Sequence, residues 1–383
     1  MKSVVLEDLL KDGYSRKYAN FYLNILQEER ESSLYDKDFM NWAHNNGFRA
    51  EVASIYDIND DNKDLFLTDY DYYRIWPINS WERIWINDKM TLKYMLANTE
   101  FASLMPKYYY YTALREGKCC LVPQLDNPLS RSDHSIEEFK SLLKEVHAFA
   151  CKPCNGSTSV GFFKLSYDNE MFFFNDKKID ETALEKIVIE SPNYVYTEYI
   201  RPSEHFAKMN SNIHTLRLVT INQGDSAKIV GGYFRIPNNN SGAANFKATE
   251  NNDDFNIVLD IDPQIGWYGN AMLIFANRKE SVKVHPDNGV LLEGFIPNYD
   301  ELKKTVLGIA DRFNTIEYMG FDIGITTDGF KCMEINSHPG IGHMQLYRPF
   351  FANPELSAFY KSKIEAIDKM SDEQKAQRVN IPR

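Results

Sequence analysis

The stretch Gly320-Phe-Asp322-Ile-Gly-Ile-Thr-Thr-Asp-Gly329-Phe-Lys-Cys-Met-Glu334-Ile-Asn336-Ser-His-Pro-Gly340 constrains this chain more than any other, because it reads as a β-hairpin carrying three hard oxygen ligands. Glu334 and Asn336 are two apart on a strand and share a face, which leaves Lys331, Met333 and Ile335 on the other. A two-residue Asp-Gly turn would set Asp322 opposite Ile335, on the wrong face, since a slip of one residue flips every side chain. A three-residue loop, Thr327-Asp328-Gly329 with Gly329 at a left-handed bulge, sets Asp322 opposite Glu334, and this is the loop expected. Two carboxylates and an amide oxygen brought together in this way suit Mg²⁺, which takes few protein ligands and fills its remaining positions with water and substrate phosphates.

The rest of the chain has the material for a large soluble enzyme. Its 383 residues are 43% hydrophobic, enough for two or three domains with real cores. With 43 Lys+Arg against 54 Asp+Glu the net charge is -11, which argues against a general nucleic-acid binder while leaving room for a local basic cleft. No run is apolar for long enough to span a bilayer, so no transmembrane segment is expected, and the start lacks a signal-peptide core; the expected location is cytoplasmic. Five cysteines outside any small loop-rich frame do not form a disulfide scaffold. Cys151-Lys-Pro-Cys154 closes a strand rather than opening a helix, so it and Cys119-Cys120 read as structural.

Three segments are expected. Residues 1–86 read as a helical N-terminal domain, with Tyr18, Phe21, Tyr22, Ile25 and Leu26 at helical spacing and Trp76, Trp81 and Trp85 as a packing seam. Residues 87–193 mix short strands and helices. Ser135 and Glu138 form a capping box for a helix through Val146, His147–Cys151 is a buried strand, Phe162–Leu165 and Met171–Phe174 pair as a hairpin, and a helix follows near Glu181–Ile189. Residues 194–383 carry strands at Tyr194–Tyr199, Thr215–Ile221 and Lys228–Arg235, then a helix capped by Asn298, then the metal hairpin. The class is α+β with mostly antiparallel sheets.

Between two strands lies Lys152-Pro-Cys-Asn-Gly156-Ser157-Thr158-Ser159-Val160-Gly161. Backbone N–H groups of such a loop cradle phosphate oxygens, the hydroxyls add donors and Lys152 adds a point charge. It is not a Walker loop, which needs Gly-Lys-Ser/Thr and a following helix. Further on, Thr197-Glu198-Tyr199-Ile200 ends a strand whose backbone can read an adenine edge, with Glu204 placed to accept from ribose hydroxyls.

The order of these features, from Asp88-Lys89 through the Lys152 loop and the Glu198 strand to Asp322, Glu334 and Asn336, resembles the ATP-grasp superfamily. Ile213-His-Thr215-Leu-Arg217, Gly232-Tyr-Phe-Arg235, Ala244-Asn245-Phe246 and His285-Pro-Asp-Asn-Gly289 resemble its sugar-transfer-associated members, found with surface-polysaccharide genes. The resemblance runs from about Asp88 to Gln345 and implies an ATP-grasp fold in which two α+β subdomains grip ATP. It further implies phosphate contacts from Lys89 and Lys152 and a lid of Ser157, Thr158, Ser159 and Gly161. Adenine would be bound by the backbone of Glu198, Tyr199 and Ile200, ribose by Glu204, and magnesium by Asp322, Glu334 and Asn336. Arg217 and Arg235 become candidates for the transferred phosphoryl group, and Asn245 and His338 for substrate contact. Two departures are visible: Lys247-Ala248 stands where many relatives have a glycine pair, and His338 where they often carry a small or apolar residue, so a buried or capping role for it competes with substrate contact.

The expected activity is that of an ATP- and Mg²⁺-dependent carboxylate–amine ligase acting on a small-molecule carboxylate and an amine, or on a sugar or glycan acceptor, with polysaccharide-synthesis enzymes as partners. A kinase of a sugar hydroxyl would use the same nucleotide site. A non-catalytic nucleotide-binding scaffold is a third reading, with Tyr108–Tyr111 as part of its contact surface.

Overall fold

A computed structural model describes residues 5–128, 135–154, 160–239 and 254–381. The chain forms two compact units, one of Met1–Arg83, His214–Asp322 and Asn336–Arg383, the other of Ile84–Ile213 and Ile323–Ile335. Five α-helices open the first unit: α1 (Leu6–Lys11), α2 (Arg16–Glu31), α3 (Lys37–Asn45), α4 (Ala50–Ile55) and α5 (Asp69–Arg74). Ser15, Asp36 and Thr68 cap α2, α3 and α5 by accepting from early backbone N–H groups, which is why the chain turns into a helix at those points.

The second unit begins with α6 (Ile84–Asn87) and α7 (Lys89–Leu96). Its seven strands are β1 (Tyr108–Arg115), β2 (Lys118–Pro123), β3 (Ala148–Pro153), β4 (Phe163–Asp168), β5 (Met171–Phe174), β6 (Lys177–Ile179) and β7 (Tyr194–Glu198). They lie in the order β2-β1-β7-β3-β4-β5-β6, each pair antiparallel. The helix α8 (Ile136–Val146) opens on the expected capping box of Ser135 and Glu138, and Asp180 caps α9 (Glu181–Ile189). Phe139, Leu142 and Leu143 of α8 and Leu184 and Val188 of α9 pack with Tyr110, Phe149, Cys151, Leu165 and Tyr196 into one core. Because Ala150 pairs with Thr197 and Lys164, and Lys152 with Val195, these residues alternate onto the opposite face. The run Tyr108–Tyr111 is the start of β1, and Tyr108, Tyr109 and Tyr110 are buried in this unit, which corrects its reading as a contact surface. A short helix, α10 (Glu204–Ala207), follows β7.

The second sheet holds β8 (Thr215–Ile221), β9 (Lys228–Ile236), β10 (Asn256–Ile261), β11 (Trp267–Ile274), β12 (Lys279–Ser281), β13 (Gly294–Phe295), β14 (Tyr318–Thr326) and β15 (Gly329–Asn336). Its order is β12-β11-β10-β9-β8-β14-β15, with β13 beside β11. The chain leaves the first unit inside β14, between Asp322 and Ile323, and rejoins it between Ile335 and Asn336. The turn of the hairpin is Thr327-Asp328, and Gly329 has φ 111°, a value that favours glycine. The helices α11 (Tyr299–Arg312), α12 (Pro354–Asp368) and α13 (Asp372–Arg378) complete the chain. Asn298 does not cap α11 with its side chain as expected; it is left-handed, at φ 51°, and its carbonyl accepts from Glu301 and Leu302 instead.

The helical start, expected as a domain of its own, shares a core with this sheet. Leu9, Tyr22, Leu26, Val52 and Ile55 bury against Val219, Tyr233, Val258 and Ile274 within one cluster. Helices with a single apolar stripe must bury it on a partner, and here the partner lies far along the sequence. Trp76 is buried in this region as the seam requires, whereas Trp81 is 57% exposed.

Candidate active site

In the first unit the site is built on β8, β9 and β14. Thr215 pairs with Arg235 and Arg217 with Tyr233, so Arg217, Tyr233 and Arg235 share a face. Arg217 donates to both carboxylate oxygens of Asp322, Nε to Oδ1 at 2.5 Å and Nη2 to Oδ2 at 2.8 Å, and Arg235 Nη2 stands 3.8 Å from Oδ1. All three side chains are buried. Asn336 Nδ2 is 3.5 Å from Asp322 Oδ2. The two guanidiniums also lie near the Tyr233 ring, 5.9 and 5.4 Å from its centroid, and the His343 ring meets that tyrosine edge-on at 5.4 Å. Burial, reinforced by the charges of Arg235, Arg217 and Arg49, brings His343 down to about 3, so its ring is neutral. Arg49 is held by Asp69 at 2.8 Å and by Glu51 at 2.9 Å.

Tyr233 stands in the sequence only as part of the Gly232–Arg235 motif, with no role of its own, and neither His343 nor Arg49 carries a local signal. A strand tyrosine carries no chemical signature, and Arg49 reaches this group of side chains only through the packing of the helical start. The ring of His338 stacks on Tyr72 at 4.1 Å and meets Tyr18 edge-on at 5.6 Å. Both ring nitrogens are buried without a hydrogen-bond partner within 3.5 Å, and burial brings the ring down to about 3.

In the second unit Lys89 is the first residue of α7, buried at 6% exposure, with its ammonium 3.9 Å from Glu334. Lys152 is the last residue but one of β3, and burial together with the charge of Lys89 lowers it to about 8, while Glu334 pulls the other way. Lys152 thus senses the charges of both Lys89 and Glu334 inside this unit. Gly161 closes the loop that follows Lys152; at φ 79°, a side chain there would strike Tyr194 and Pro153. Ser157, Thr158, Ser159 and Asn245 lie outside the described residues.

Glu198 N–H donates to Lys107 O at 2.8 Å and its carboxylate accepts from Lys107 N at 3.1 Å, so this peptide N–H is already used by the protein. Tyr199 and Ile200 lie beyond the end of β7, and Ile200 approaches Gly324, where a Cβ would stand 3.7 Å from its side chain. Glu204 is exposed at the start of α10. Asp322 and Asn336 belong to the first unit and Glu334 to the second.

An α+β chain with antiparallel sheets, one lysine opening a helix and another near a strand end of the same unit, and a carboxylate-bearing hairpin has the make-up of the ATP-grasp class. Residues 83–358 match the sugar-transfer associated ATP-grasp family, and the chain belongs to it. Solved structures similar to it include D-alanyl-alanine synthetase A from Vibrio cholerae, at 13% identity and TM-score 0.43 over 75% of this chain and 68% of that one. They also include a D-alanine–D-alanine ligase from Bacillus anthracis, at 13% identity and TM-score 0.37 over 74% of this chain and 69% of that one. An L-amino acid ligase from Bacillus licheniformis aligns over 68% of this chain and 42% of its own length, at 10% identity and TM-score 0.33. No curated protein matches the sequence. Among the described residues no helix is long and apolar enough to cross a membrane.

Proposed function

We propose that this chain is an ATP- and Mg²⁺-dependent carboxylate–amine ligase that forms an amide through an acyl phosphate, acting on a sugar or glycan precursor of a surface polysaccharide. The observation that carries the reading is the grouping, within one unit, of Lys89 and Lys152 with the carboxylate of Glu334. Two ammonium groups suit a polyphosphate, and a carboxylate beside them suits the hard cation that accompanies it. The family's sugar-transfer association supports the class of acceptor.

The set implied by the resemblance for magnesium, Asp322, Glu334 and Asn336, carries two carboxylates and an amide oxygen, the hard ligands Mg²⁺ takes. Asp322 already accepts from Arg217, but a carboxylate has lone pairs for further partners. When bound, magnesium would supply neutralising charge to the phosphate oxygens. Lys89 and Lys152 would hold the phosphates, with Ser157, Thr158, Ser159 and Gly161 closing over them. The backbone beyond β7, at Tyr199 and Ile200, would take adenine, and Glu204 the ribose. A substrate carboxylate accepts the γ-phosphoryl group and ADP leaves; an amine then attacks the acyl carbon, phosphate departs, and the amide remains. Arg217 and Arg235 would stabilise the charge that develops, as fixed guanidiniums do in a dry site. No protein nucleophile is needed, since positioning and electrostatics carry such reactions.

The test is Mg²⁺-dependent conversion of ATP to ADP, with amino acids and amino- or carboxy-sugars supplied in pools and phosphate release followed in parallel. ADP and phosphate appearing together, and only with a carboxylate–amine pair, is the expected result. ADP without phosphate would replace the ligase by a sugar kinase, and tight ATP binding with no ADP under any pool would leave the scaffold reading.

A further inference from the structure

We propose that Asp88 is a positioning residue for the nucleotide's phosphates, its carboxylate bridging the start of α7 and the Cys154 thiol so that Lys89 and Lys152 are held as a pair. The inference rests on the nucleotide reading above and adds two residues which that reading does not use. Asp88 is the N-cap of α7: its Oδ1 accepts from Thr91 N–H at 2.7 Å. Its Oδ2 accepts from the thiol of Cys154 at 3.3 Å. Lys89 is the residue after Asp88, and Cys154 stands two residues past Lys152. One carboxylate therefore fastens the element carrying the first lysine to the end of the strand carrying the second.

The two lysines need such a tie. The charge of Lys89 acts on Lys152 and disfavours its protonated form, so the ammonium groups repel one another where water screens them poorly. Left to local forces, α7 and the end of β3 would relax apart and the phosphates would have to draw them together again. A carboxylate bonded to both elements removes that freedom to relax. Cys154 is suited to the link: burial and the adjoining Asp88 push its thiol up to about 12, so it remains an S–H donor at any physiological pH. Its own backbone is anchored separately, N–H to Asn193 O at 2.9 Å, so the strand end survives loss of the side-chain bond.

The test is calorimetric titration of the full chain with MgATP and, separately, with adenosine, which has no phosphates. Cys154→Ala should weaken MgATP by about fivefold to tenfold, the scale of one ordinary hydrogen bond, as suits a weak S–H donor, and leave adenosine unchanged. Cys154→Ser, which restores a donor, should recover most of the loss. Asp88→Ala should weaken MgATP at least as much, and adding Cys154→Ala to it should cost nothing more, because both remove the same bond. Should Asp88→Ala not fold, Asp88→Ser keeps the helix cap and takes its place in the cycle. Wild-type MgATP affinity in Cys154→Ala, equal losses for MgATP and adenosine, or additive effects of the two substitutions would each overturn the proposal. A wild-type chain that binds MgATP no better than adenosine overturns the nucleotide reading itself, and this inference with it.

Discussion

Asp322 does two jobs that substitution can separate from those of Glu334. Its carboxylate neutralises Arg217 in a buried pair, so Asp322→Asn leaves a buried guanidinium short of charge and should lower stability by about 3 kcal/mol as well as ATP turnover by about a hundredfold. Glu334 is more exposed and stands 3.9 Å from Lys89, so Glu334→Gln should cost turnover on the same scale with little change in denaturation midpoint. Chemical denaturation and ADP formation on both variants check the contrast; wild-type turnover in either removes that residue from the metal set. Lys152 gives a pH signature. Burial and Lys89 bring it from 10.5 to about 8, so between these values the folded chain binds fewer protons at this amine than the unfolded chain, and its contribution favours folding increasingly as pH rises. Bound phosphates favour the ammonium form, so MgATP binding should take up protons near pH 8 and weaken above it, and Lys152→Met should abolish that uptake. Calorimetry in buffers of different ionisation enthalpy measures it. His338 stacks on Tyr72 in a buried position, so His338→Phe, which keeps a stacking ring, should change stability by no more than about 1 kcal/mol and leave MgATP affinity unchanged. A large loss of turnover with unchanged folding would restore it as a substrate contact.

Elements differ in how openly the sequence declared them. The capping box at Ser135 and the strands Thr215–Ile221 and Lys228–Ile236 carry local signals, a hydroxyl three residues before a carboxylate and β-branched or aromatic runs, and they stand where those signals put them. The strand Tyr108–Arg115 carries no such signal, because four tyrosines in a row show no alternation between polar and apolar positions. The hairpin's ends depend on a residue no local pattern marks. Asn79, 2% exposed, donates to Tyr318 O at 2.7 Å and Ser337 O at 3.0 Å and accepts from Tyr318 N at 3.1 Å. It therefore ties the beginning of β14 to the residue after Asn336. Asn79→Ala should cost about 2 kcal/mol, read by urea denaturation, because the backbone groups it serves are buried and lose their partner. A cost below about 0.5 kcal/mol would mean that water replaces the amide without loss.

For the whole molecule the unexpected feature is that the helical start is not separable from the C-terminal sheet. Leu26, Val52 and Tyr72 lie in the same core as Tyr233, Tyr318 and Phe359, and Gln345 exchanges hydrogen bonds with Leu67 N and O at 2.9 and 3.0 Å. Removing residues 1–83 should therefore expose the face of the sheet that carries Arg217 and Arg235, and the truncated chain should lose cooperative unfolding of that unit and aggregate. A soluble truncate with a sharp transition would mean that the helices are an accessory layer. The sequence by itself determined the α+β class, the order of the nucleotide features and the types of residue at the candidate site, because turn chemistry, caps and side-chain donors are local properties. Only the tertiary structure decided that Asp322 is shared with Arg217, that Asp88 meets Cys154 and that the charge of Arg49 reaches His343. Those neighbours are separated by tens to hundreds of residues, and their meeting is set by which apolar faces bury against one another.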